Sequence, residues 1–146
     1  DLMRAMSKRS ETAVILITHD LGVIAEMADR VAVMYAGHIV EQADVDSLFD
    51  RPLHPYTQGL IASLPTPGES KDRLEAIPGS VPDLLDMPPG CRFADRCKAR
   101  GDFGLEICTV REPDLLEVGP GHSVRCYLYQ SVEDHQAPLA AQLRPT

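Results

Sequence analysis

The chain has 146 residues, of which 44% are apolar and 25% charged, with a formal net charge of −8. That length and balance fit one ordinary domain or two small pieces, and exclude a disordered chain. The acidic surplus argues against a phosphate-backbone partner, so no nucleic acid is expected. The longest apolar stretch, near Val14–Ile17, is too short to span a bilayer. The opening Asp1-Leu2-Met3-Arg4 lacks the layout of a signal peptide. It begins without Met, inside an expected helix, which suggests a piece of a longer protein.

Leu2, Met3 and Met6 share one helical face, so a helix is expected over Asp1–Arg9. Thr12–Thr18 is a β-branched run without alternation, the pattern of a strand covered on both faces. Asp20 can cap a helix over Leu21–Ala28, with Leu21, Ile24 and Met27 turned inward. Val31–Tyr35 reads as a second strand, and Gly37 as the turn into Ile39-Val40-Glu41, forming a hairpin. Asp44 can cap a short helix through Asp50. Pro55 can open another, ended after Leu64 by Pro65. This order predicts an α/β class, the edge of an α/β sheet. Val14, Leu16, Val31 and Val33 are expected to lack part of their cover, because most strands of such a sheet are absent.

All 12 prolines and all 4 cysteines follow Arg51. A boundary is placed near Leu64–Pro67. The organisation expected is residues 1–64 as the α/β part, 65–130 as a mostly irregular cysteine-containing extension, and 131–146 as a frayed, flexible tail.

His19 stands at the C-terminal end of the expected strand, where open α/β sheets bind ligands. A His there can donate to a phosphate oxygen or orient a water. By position alone, a plain turn residue is the commoner reading. In Leu53-His54-Pro55-Tyr56, Pro55 fixes the start of a helix and biases His54 toward extended backbone. A packed loop-to-helix joint explains that word without any chemistry at His54.

The cysteines are spaced C-x5-C-x10-C-x17-C at Cys91, Cys97, Cys108 and Cys126. Two disulfides, a zinc site, an iron–sulfur cluster and four unrelated thiols all remain open. The segment is rich in Pro and Gly and poor in core material, so a metal crosslink would supply its organisation. Arg92, Arg96, Lys98 and Arg125 lie beside the cysteines and are expected to offset thiolate charge.

Thr18-His19-Asp20-Leu21 resembles the switch-histidine motif, or H-loop, of ABC-transporter nucleotide-binding domains. Asp29–Gly37 is similar to the strand and hairpin that follow it. Arg51–Thr57 resembles the hallmark of the dipeptide and oligopeptide importer branch. Gly90–Cys97, Cys108, Glu112-Pro113 and Gly121–Cys126 resemble that branch's C-terminal extension. The resemblance covers roughly residues 1–128. It implies the C-terminal part of an ATP-binding subunit powering peptide uptake. His19 would then be the catalytic contact to the γ-phosphate of ATP, with Mg in the complete site. It also implies a [4Fe–4S] cluster on Cys91, Cys97, Cys108 and Cys126, with zinc as runner-up. The implied partners are a second ATP-binding subunit, transmembrane permeases and, through them, a periplasmic or lipid-anchored peptide-binding protein. The implied place is the cytoplasmic face of the cell membrane. The phosphate loop, Walker B strand and LSGG-type signature do not occur in this sequence, so the chain alone is expected to be inactive. The alternative is a stand-alone cysteine-rich metal-binding or interaction module.

Overall fold

The structure, a computed structural model, describes residues 12–64 and 76–140. The helix expected over Asp1–Arg9 and the boundary residues 65–67 lie outside them. Helix α1 spans Leu21–Met27. The Asp20 carboxylate accepts from the Gly22 and Val23 amides at 2.9 and 3.2 Å, satisfying two of the free N–H groups of the first turn. Strands β1 (Arg30–Tyr35) and β2 (His38–Asp44) form the expected hairpin around Ala36-Gly37, both at positive φ. In β1 the alternation is strict, with Val31, Val33 and Tyr35 buried. Asp44 caps α2 (Val45–Asp50) through the Ser47 amide at 2.9 Å, and α3 spans Pro55–Ala62. Short helices follow: a 3₁₀ turn at Ala94–Arg96, α4 at Lys98–Asp102 and α5 at Ile107–Val110.

One expectation is corrected here. Thr12–Thr18 is not a strand: Ile15 and Ile17 are 91% and 94% exposed, and no neighbouring strand among the described residues pairs with them. A β-branched run has no ladder to join without a partner edge. The mostly irregular extension carries two short strands. It supplies β3 (Leu116–Gly119) and β4 (His122–Val124), and β4 adds antiparallel to β2, giving the order β1-β2-β4-β3. Val31 and Val33 are buried rather than bare, packed with Ala43, Leu48 and Phe93. The α/β reading holds as mixed helices and one small antiparallel sheet.

Two apolar clusters result. One gathers Val31, Val33, Tyr35, Val40, Ala43, Leu48 and Phe93, and receives Ile24 of α1 and Ala28, which ends that helix. The Leu21 and Met27 side chains, also expected inward, stay partly exposed. The other joins Leu53, Leu105, Cys108, Val124, Cys126, Tyr127 and Leu128. Two bonds tie residues 131–140 to the preceding chain. Leu139 donates its amide to Leu128 O at 2.9 Å, and His135 Nε2 meets Tyr127 O at 2.9 Å. No described helix is long and apolar enough to cross a membrane.

Candidate functional site

His19 is exposed, one residue before the cap of α1. The Asp20 amide bonds Thr18 Oγ1 at 3.0 Å, and the Asp20 carboxylate holds the first helical amides. The turn is thus closed by its neighbours, and the imidazole is exposed, with no hydrogen-bond partner among the described residues.

His54 is buried and caps α3, as its flanking Pro55 implies. Its Nδ1 accepts from the Tyr56 amide at 3.1 Å, so the proton of the neutral ring sits on Nε2. Burial pushes its pKa down to about 4, with the nearby Glu41 carboxylate opposing.

Sequence reasoning missed Glu41. It is fully buried, at the bulge where Val40 interrupts the β1–β2 register. Its carboxylate accepts from the amides of Leu53 (2.7 Å) and His54 (2.8 Å), and from His122 Nε2 at 2.8 Å. Burial alone would raise its pKa; the hydrogen bonds from His122 and from the Leu53 and His54 amides outweigh that and hold it below the usual value. One side chain therefore joins β2, the joint before α3, and β4. The available signal was a carboxylate following Ile39-Val40 in a hairpin with an otherwise apolar inner face.

The four cysteines are brought together, and all four are free thiols. The Cys91 amide donates to Cys108 O at 2.8 Å. This approach requires Gly90, whose φ is +90° and whose added Cβ would meet Cys108 O at 2.3 Å. Burial raises every thiol pKa: Cys91 to about 11, Cys108 to about 12, Cys97 upward and Cys126 well upward. The thiols add to one another's shifts, Cys126 feeling Cys91, Cys97 and Cys108, so all lie within electrostatic reach. Cys91 and Cys97 pack on the hairpin cluster, whereas Cys108 and Cys126 belong to the other; Cys91 touches both. No group of three or more His, Cys, Asp or Glu among the described residues is arranged to hold a single metal ion.

The arginines expected to neutralise thiolates point elsewhere. Arg92 donates to Ala36 O and lies 3.9 Å from Glu112. Arg96 donates to Ile77 O and Pro78 O, at 3.0 and 2.8 Å. Arg125 donates to Ile39 O and Pro113 O, both at 3.0 Å. A guanidinium presents several donors in a fixed fork, which suits carbonyls left over in irregular backbone. The nearby cation is instead Arg100, whose charge opposes, without overcoming, the rise that burial causes at Cys97 and Cys108.

Residues 40–103 match the family described as oligopeptide/dipeptide transporter, C-terminal region. The chain is 49% identical over 130 residues to the oligopeptide transport ATP-binding protein AppD of Bacillus subtilis, covering 89% of this chain and 38% of that protein. It is 44% identical over 126 residues to a putative peptide import ATP-binding protein of Brucella abortus, covering 86% and 36%. A putative peptide import ATP-binding protein of Brucella ovis is 42% identical over 138 residues, covering 90% and 40%. The chain thus spans well under half the length of these relatives. The central segment of the chain thus matches that C-terminal region, and most of its length is similar to ATP-binding proteins of oligopeptide transport and peptide import.

Proposed function

We propose that this chain contributes the switch histidine, His19, to an ATP-binding subunit that powers peptide uptake. The observation that carries this is Thr18-His19-Asp20-Leu21 at the start of α1, with Asp20 engaged in capping and His19 exposed. Relatives named as ATP-binding proteins of peptide import support it. In the complete subunit His19 donates a hydrogen bond to the γ-phosphate of Mg-bound ATP and positions the attacking water. Phosphoryl transfer depends mostly on such positioning and charge stabilisation. Residues 1–64 would close the ATPase domain, and 65–130 would form the importer's extension. The partners are a second ATP-binding subunit, the permeases and, through them, a peptide-binding protein, at the cytoplasmic face of the membrane. Two measurements test this. The purified 146-residue chain should show no ATP turnover, since it carries no phosphate loop. In the full-length subunit, His19→Ala should abolish turnover while nucleotide binding persists. Turnover at the parental rate would overturn the assignment.

The reading extends to a [4Fe–4S] cluster on Cys91, Cys97, Cys108 and Cys126. What supports this reading is the donor chemistry: four free thiols in one segment, with the Cys91 amide 2.8 Å from Cys108 O. Zinc fits less well, because one ion needs its thiolates tightly gathered and no such group occurs among the described residues. A cubane offers four separate iron corners and accepts a wider set. Bound there, it would crosslink two apolar clusters, a structural role.

A further inference from the structure

We propose that Cys91–Cys97 is a strap that couples the cysteine centre to the β1–β2 hairpin and, through it, to α1. The proposal rests on the reading of the four cysteines as one centre.

The strap's two ends are cysteines of that centre, and the residues between them grip the hairpin. Phe93 is 3% exposed and inserts among Tyr35, Tyr56 and His54, with ring centroids 5.1, 5.5 and 5.7 Å away. Arg92 holds Ala36 O at the tip of the hairpin turn. Arg96 Nη1 reaches Tyr35 Oη at 3.3 Å, and its guanidinium carbon lies 5.8 Å from the centroid of that ring. The strap is internally closed, since the Ala94 amide bonds Cys91 O at 2.9 Å and the Cys97 amide bonds Ala94 O at 3.3 Å. A short closed turn cannot shift its ends without moving its middle. The hairpin cluster completed by Phe93 also receives Ile24 and Ala28, so the contact series ends on the helix that begins after His19. Contact alone is not coupling; the strap must respond at one end to a change at the other.

The test uses the whole 146-residue chain. In metal-free protein kept reduced, a maleimide labels each thiol at a rate set by local opening, read site by site by mass spectrometry. Phe93→Ala and Arg96→Ala should each speed labelling of Cys91 and Cys97 by about tenfold, leaving Cys126 unchanged. Equal acceleration of all four thiols, or none, would overturn the strap, because the thiols would then report only global stability. Ferrous iron and sulfide are then added without oxygen. Amide exchange across residues 31–44 should slow severalfold in the parent. Phe93→Ala should bind the same iron without that slowing. Iron uptake with no change in the parental hairpin overturns the strap. Failure to take up iron overturns the cluster reading instead, and the labelling result still decides the strap.

Discussion

Glu41 and His122 stand 81 residues apart in sequence, and their side chains meet at 2.8 Å with both buried. The same Glu41 oxygen also accepts the Leu53 amide, and the other oxygen accepts His54. Hairpin, α3 joint and extension thus share one buried anion. Glu41→Ala would leave two amides and an imidazole without an acceptor, and should cost about 3–5 kcal/mol. His122→Ala should cost less, about 1–2 kcal/mol, because both amides keep their carboxylate. Urea unfolding of the two variants checks this. A Glu41→Ala loss below that of His122→Ala would show that the carboxylate is not the shared anchor.

His54 makes stability depend on pH. In the unfolded chain it takes up a proton near pH 6.5, whereas in the fold it resists until about 4. Between those values the unfolded state holds more protons, so stability falls as pH drops through that window and is complete above it. The full effect is roughly 3 kcal/mol. Protonation also ends the cap, because Nδ1 can no longer accept from Tyr56. Glu41, held below its usual pKa, adds a further loss once pH falls low enough to protonate it. His54→Asn keeps an acceptor at the cap and removes the titration. Its midpoint in urea should be lower than the parent's at pH 7.5 and flatter between pH 6.5 and 4.5. An equally steep parental and variant profile would remove His54 as the source.

Gly90→Ala should be severely destabilising, by about 2–4 kcal/mol, since the new methyl meets backbone rather than a yielding side chain. Its Cβ would lie 2.3 Å from Cys108 O and 2.8 Å from Thr109 C. Gly104→Ala is the control: its φ is also positive, +61°, but nothing lies within 4 Å. That change carries only the conformational penalty, about 1 kcal/mol. Comparable thermal shifts for the two variants would mean that the Gly90 approach to Cys108 is not sterically required.

Local chemistry made much of this fold legible. Asp20, Asp44 and His54-Pro55 announced their helices, and the alternation Val31-Val33-Tyr35 with the turn at Gly37 announced the hairpin. What escaped is non-local. Nothing near His122 says that its strand adds to β2, since Gly121-His122-Ser123-Val124 is too short to carry a period. Arg92 and Arg96 looked like counter-ions to thiolates because sequence proximity was the only guide. Their side chains reach carbonyls 56 and 19 residues away. Thr12–Thr18 shows the reverse failure: strand propensity is plain there, yet the stretch forms no strand.

The cysteine centre has the sharpest solution test. If four thiolates hold a [4Fe–4S] cluster, protein purified without oxygen should be brown, with iron and acid-labile sulfide each near about four per chain. Zinc would leave it colourless with about one metal per chain. The two clusters make the individual cysteines unequal as structural parts. Cys126 is buried among Tyr127, Leu128 and Val124, so Cys126→Ser also places a hydroxyl in an apolar core. Cys97 is partly exposed at the end of its 3₁₀ turn, and Cys97→Ser disturbs little besides its thiol. Iron content should therefore fall in both variants, while the metal-free unfolding midpoint should drop for Cys126→Ser and stay near the parental value for Cys97→Ser. Full iron retention by Cys97→Ser would remove that residue from the ligand set. Colourless, metal-free parental protein with four titratable thiols, prepared without oxygen, would end both metal readings.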